Sequence, residues 1–172
     1  TITDVSQNDL LHPNKIVREG DVYGYDYLAN VNNARLWSQM EYKFSKLEVY
    51  AAAELNYTSF WRTGKMQNGR FPDHSYGDSE KNNFLNGAGK LGVTYAFNGR
   101  NYLVANGAYL HRAPNFRDSY ISPRTRDFAV DGLESEKVMA GDISYVLRAP
   151  NIKARATLYH TQVHDGLWVR SY

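Results

Sequence analysis

The feature that most constrains this chain is a two-residue alternation through LNGAGKLGVTYAFNGRNYLVANGAYL, residues 85–110. On its first arm, Leu85, Gly87, Gly89, Leu91, Val93, Tyr95 and Phe97 fall on one face and carry no charge. Asn86, Ala88, Lys90, Gly92, Thr94 and Ala96 fall on the other. Successive side chains of a strand point to opposite faces, so this period-2 pattern predicts a long β-strand with one uncharged side. Asn98-Gly99 then reads as a hairpin turn of the type in which both central residues need positive φ. Two registers remain open for the returning arm. A two-residue turn sends Arg100, Tyr102, Val104, Asn106 and Ala108 to the uncharged face, and a three-residue turn sends Leu103, Ala105 and Tyr109 there.

The same unit recurs on both sides. Strands are expected at about 29–44, 47–61, 85–97, 100–111, 134–147 and from 152 onward. In the first, Leu36, Ser38, Met40, Tyr42 and Phe44 oppose Arg35, Trp37, Gln39, Glu41 and Lys43. After a tight turn at Ser45-Lys46, Leu47, Val49, Ala51, Ala53, Leu55, Tyr57, Ser59 and Trp61 continue the uncharged face. In the fifth, Met139, Gly141, Ile143, Tyr145 and Leu147 share a face. Past the turn at Arg148–Asn151, Ile152, Ala154, Ala156 and Leu158 carry it on. Residues 1–28 read as loop, on the turn signals Asn8-Asp9, His12-Pro13-Asn14, Gly20-Asp21 and Gly24. Residues 62–83 and 112–133 read as two long loops at the end opposite the short turns.

This pattern predicts an all-β antiparallel meander of about six long strands, part of a transmembrane β-barrel. Spanning strands need about 9–11 residues, and outer-membrane barrels pair short periplasmic turns with long extracellular loops. Mean hydropathy is -0.59, so no run of about 20 apolar residues forms a spanning helix. A barrel strand meets lipid only at every second residue, so the same average is compatible with one. Of the 24 aromatic residues 14 are Tyr, a ring suited to membrane interfaces. Tyr42, Phe44, Tyr95, Phe97 and Tyr145 gather near the short turns, and Tyr57 and Trp61 begin a second girdle. Net charge is +2 with no basic block, which argues against nucleic acid as a partner. Cysteine is absent, which excludes disulfides and thiol chemistry. Thr1 opens no basic and apolar leader. Six strands do not close a membrane barrel, for which eight is the bacterial minimum. The expectation is therefore a piece of a larger barrel.

The stretch Tyr109 to Arg126 followed by Gly132-Leu-Glu-Ser-Glu-Lys137 resembles TonB-dependent outer-membrane receptors, in the style of Bacteroides-type bacteria. His111-Arg112-Ala113-Pro114-Asn115 is similar to their strand-ending Arg-x-Pro motif. Leu133-Glu134-Ser135-Glu136-Lys137 is similar to the lead into the next strand. The resemblance implies a 22-stranded barrel in a Gram-negative outer membrane, an N-terminal plug and a TonB-contacting box, with neither plug nor box recognisable here. It also implies energy-coupled import of a scarce small-molecule or oligosaccharide ligand, such as a siderophore, cobalamin or glycan. The implied partners are membrane lipid, the remaining strands, the plug, and TonB through the whole receptor.

Candidate sites are weighed against plainer roles. Gly87-Ala-Gly-Lys-Leu-Gly92 matches G-x-G-x-x-G, but a dinucleotide site needs that motif between strand and helix, and here it lies within a strand. His160 and His164 stand about 13 Å apart on a strand, too far for one metal. Glu134 and Glu136 have a spacing that overlaps a glycosidase pair, yet charged strand ends facing water are ordinary. No Gly-x-Ser-x-Gly elbow occurs. Asn56-Tyr-Thr58 is a glycosylation sequon placed mid-strand. No enzyme, cofactor or metal is expected. Arginine and aromatic residues together are the composition of binding hot spots. The candidate ligand-binding residues are therefore Trp61, Arg62, Phe71, His74 and Tyr76 around the first long loop, and Arg112, Phe116, Arg117, Tyr120, Arg124 and Arg126 in the second. A passive porin or structural barrel and a soluble all-β binding module are the competing readings.

Overall fold

A computed structural model of the protein describes residues 1–2 and 7–166; positions 3–6 of the expected N-terminal loop lie outside the described residues. The strands are β1 (Tyr27–Lys43), β2 (Leu47–Gly64), β3 (Gly77–Asp78), β4 (Asn82–Asn98), β5 (Asn101–Arg112), β6 (Glu136–Arg148) and β7 (Lys153–His164). All pairs are antiparallel, in the order β1-β2-β4-β5-β6-β7, with the two-residue β3 attached to β2. The sheet is not closed, and β1 and β7 are its edges.

The register aligns the alternation of every strand. Met40, Ala51, Leu91, Gly107, Gly141 and His160 form one cross-strand row, and Tyr42, Val49, Val93, Ala105, Ile143 and Leu158 the next. The opposite face carries Arg35 beside Glu54, Lys43 between Glu41 and Glu48, and Asn106 on Asp142. A one-residue slip would exchange the two faces, so such a pattern fixes register strongly.

The sheet is a single layer, and among the described residues nothing covers its uncharged face. Leu36 is 73% exposed, Leu85 68% and Leu158 78%. Among the described residues only Val17, Phe60 and Tyr120 are buried hydrophobics, and none lies on that face. Monomeric soluble proteins rarely expose contiguous apolar patches beyond a few hundred Å².

The central hairpin departs from its expected turn. Neither Asn98 nor Gly99 has a positive φ, and the connecting residues are Gly99 and Arg100, with Asn98 facing Asn101. The Asn98 side chain is the reason. Its Oδ1 accepts from the N–H groups of Arg100 and Asn101, each at 2.9 Å, and closes the turn locally. An irregularity between Ala96 and Asn98 adds one residue to that arm. Leu103 thereby lies opposite Tyr95, and Leu103, Ala105 and Tyr109 share the uncharged face.

Two loop boundaries also shift. β2 runs through Gly64 and β3 lies within the expected loop 62–83, so the irregular part of that loop starts at Lys65. The second loop contains a single 3-10 turn, Arg117–Ser119. Glu134 precedes β6, whereas Glu136 opens it. The glycine motif lies wholly inside β4, with Gly92 lapped by Asn106: a Cβ there would come within 2.8 Å of Asn106 Oδ1.

Candidate ligand-binding loops

The two long loops and the N-terminal segment meet at the end of the sheet away from the short turns. Arg62 is at the centre of this cap. It lies on the charged face of β2 and is only 1% exposed. Its Nε donates to the Pro123 carbonyl at 2.7 Å, and its Nη1 donates to the Ser75 carbonyl at 2.8 Å. Its guanidinium also lies over the Tyr27 ring, 5.4 Å from the centroid. One buried cation thus ties both loops to the sheet. Gly64 makes room for this: a Cβ on it would lie 1.7 Å from the Ser75 carbonyl oxygen.

An aromatic cluster sits beside the guanidinium. Phe60 packs with Phe84 at 5.7 Å, Phe116 at 6.1 Å and Tyr120 at 6.4 Å between ring centroids. Phe116 also stacks on Tyr27 at 6.4 Å. The Tyr120 hydroxyl meets Ser79 Oγ at 2.9 Å, and that same Oγ accepts the Arg62 backbone N–H. Burying an aromatic ring with its hydroxyl satisfied is the usual condition for a tyrosine inside a protein.

A second cluster joins the loop tips. The His74 ring lies 4.4 Å from Phe128, and its Nδ1 lies 3.4 Å from an Asp127 carboxylate oxygen. Arg126 covers Phe71 at 4.8 Å and Phe128 at 5.5 Å. Arg124 lies over Tyr25 at 5.2 Å. Between these tips and the start of β4 runs an open groove of about 1020 Å³, lined by His74, Lys81, Asn82, Phe84, Asp127 and Asp131 among others. A smaller hollow of about 230 Å³ lies by Arg112, Asn115, Asp118 and Glu134.

The candidate residues therefore separate. His74 faces the groove. Phe71 and Arg126 form its neighbouring cluster, while Tyr76 and Arg117 are exposed at the cap surface. Trp61 belongs to the uncharged face, with the Lys81 ammonium 4.5 Å from its ring centroid. Arg112 bonds Glu136 across the strand pair, Nε to Oε2 at 3.0 Å. Arg62, Phe116 and Tyr120 are spent on holding the loops together.

Residues that the sequence reading passed over complete the cap: Tyr27, Phe60, Ser75, Ser79 and Phe128. Phe60 and Phe84 carried a weak signal, since each places a large ring at the loop end of the face that bears the ion pairs. The N-terminal segment is fastened to the first long loop by the Leu10 N–H on the Gln67 carbonyl at 2.8 Å, the Gly69 N–H on the Gln7 carbonyl at 3.0 Å and the Gln67 N–H on Asp9 Oδ1 at 3.4 Å, while Asp9 also accepts the Leu11 N–H at 3.1 Å and meets His12 Nδ1 at 2.9 Å. Partial burial opposes the Asp9 charge, but the hydrogen bonds from His12, Leu11 and Gln67 outweigh it and hold its carboxyl below the usual value. Among the described residues no three His, Cys, Asp or Glu side chains group as a metal site. His160 and His164 lie on one face of β7.

No protein family, curated protein or solved structure matches the chain.

Proposed function

We propose that this chain forms part of the wall of a transmembrane β-barrel in a Gram-negative outer membrane, within a TonB-dependent receptor that imports a scarce ligand. The observation that carries the reading is the uncharged face. It runs through the register of six strands with Lys137 at its loop end, is largely exposed, and is backed by a face bearing ion pairs. Lipid is the solvent that accepts the first face, and a polar lumen accepts the second.

The aromatic pairs support the same placement. Tyr42 packs on Phe44 at 4.5 Å and Tyr95 on Phe97 at 5.2 Å, both beside short turns, where a periplasmic interface would lie. The open edges β1 and β7 imply further strands, because an unpaired backbone group in hydrocarbon costs several kcal/mol. In the whole receptor those strands and a plug would surround the lumen. The loop cap would meet a small-molecule or oligosaccharide ligand from outside, at the groove by His74 and Asp127. The strands perform no chemistry.

The receptor assignment is tested by uptake of candidate ligands into cells that express the full-length protein. Energy-coupled import predicts that collapsing the proton gradient abolishes uptake. Uptake that persists without the gradient would make the barrel a passive porin.

A further inference from the structure

The loop joining β5 to β6 connects neighbouring strands and has no need to leave their shared end. It nevertheless travels sideways. Phe116 reaches Phe60 on β2 and Tyr27 on β1, crossing β4 on the way. Its contacts with the strands lie on one side of the sheet, where Tyr27, Phe60, Arg62 and Phe84 share the charged face by register. Phe60 is 1% exposed and Tyr120 4%, so the crossing is closely packed.

We propose that residues 113–130 form a fixed strap across the charged face, locked by Arg62, which permanently narrows the outer mouth of the barrel. The narrowing rests on the barrel reading given above, since only in a closed wall is the charged face the inner one. On a concave wall, a segment running from β5 to β1 lies along a chord, so it takes cross-section from the passage.

The lock has three parts that act on different groups. The Arg62 guanidinium holds the Pro123 carbonyl of the strap and the Ser75 carbonyl of the first loop. The Ser79 hydroxyl joins the Arg62 backbone to the Tyr120 hydroxyl. Asp127 closes the outer side, where its N–H donates to the His74 carbonyl at 2.8 Å. Among the described residues no carboxylate pairs with Arg62. The buried charge is therefore satisfied mainly by loop carbonyls, and moving either loop removes a partner from it. A swinging capture lid would not be fastened at so many points. The ligand would meet a preformed rim whose exposed outer side includes Tyr76 and Ile121, at 56% and 59% exposure.

Ser119 is a direct reporter, being 0% exposed and part of the strap. These 172 residues contain no cysteine, so in a full-length background with any other cysteine replaced Ser119→Cys introduces a single thiol of nearly the same size. The experiment uses full-length protein folded into phospholipid vesicles and a charged, membrane-impermeant maleimide. Arg117→Cys, on the exposed side of the same 3-10 turn, sets the unprotected rate. A fixed strap predicts that Ser119→Cys reacts about 100-fold more slowly than that reference, and that adding Arg62→Ala accelerates it at least about tenfold. Reaction of Ser119→Cys within about threefold of the reference would overturn the strap, whatever Arg62→Ala does to folding. Leu91→Cys, on the uncharged face, separates the two claims. Its labelling by a lipid-soluble maleimide but not by the charged one is expected in a membrane wall. Labelling by both would overturn the barrel reading and the narrowing with it, and protection of Ser119→Cys would then report only loop packing.

Discussion

Single residues in the cap carry loads that their types only partly announce. Gly64 is needed because the Ser75 carbonyl occupies the space a Cβ would take. Gly64→Ala should destabilise the cap by about 1–3 kcal/mol, the usual penalty of overpacking, and expose the first loop to proteolytic nicking while the strands stay intact. Arg62 attracts notice in the sequence as a loop arginine beside aromatic residues, the signature of a binding hot spot. Its burial converts that chemistry to an internal use, because the partners of its donors are carbonyls far along the chain that no local pattern reveals. Asp9 gives the cap a pH dependence whose sign is fixed. Its carboxyl is held below the usual carboxylate value, so its stabilising contribution is full above that value and is lost as pH falls through the lowered one. Asp9→Asn should therefore lower the melting temperature at neutral pH, and the gap from the wild type should close in strong acid. A gap that persists unchanged in acid would mean that the Asp9 charge has no part in fastening the N-terminal segment.

At the scale of the strand, alternation is the most legible signal, because it repeats locally and each strand restates it. All six long strands lie where the alternation predicts, with ends moved by a few residues. For β5 the alternation leaves two registers open, and the structure takes the one with Leu103, Ala105 and Tyr109 on the uncharged face. Asn-Gly favours a positive-φ turn in general, but Asn98 satisfies two backbone N–H groups with its own side chain and the turn moves on by one residue. The resulting face makes a direct prediction. Spin labels at 103, 105 and 109 should be relaxed by lipid-dissolved oxygen, and labels at 102, 104 and 106 by a water-soluble paramagnet. The inverse pattern would restore the other register. The uncharged face can also be weighed by energy. Leu91 lies in the middle of β4, and Leu91→Arg should cost about 2–4 kcal/mol of folding free energy in lipid, as expected for a cation near the bilayer midplane. Lys90→Arg, one residue away on the other face, should cost almost nothing; equal costs would mean that the two faces share one environment.

For the whole molecule, the main fact is the absence of a second layer over the uncharged face among the described residues. A globular domain buries its apolar stripe against another element. Here no element of the described residues lies against the stripe from Met40 across to Gly141, and what little hydrophobic burial they show lies mostly in the loop cap and its docked N-terminal segment. The sequence carried that architecture well, since uncharged faces on six long strands already point away from a compact core. It carried the cap poorly. Packing of Phe116 on Phe60 joins residues more than fifty positions apart, and such contacts leave no period to read. The central claim, that the uncharged face meets lipid, is tested most directly by folding the 172-residue chain with and without detergent micelles. Circular dichroism and size-exclusion profile are recorded in each. The account predicts a β-sheet signal and a defined particle only when detergent or lipid is present. A monodisperse, folded species in plain buffer would contradict it and make the uncharged face the core of a soluble assembly.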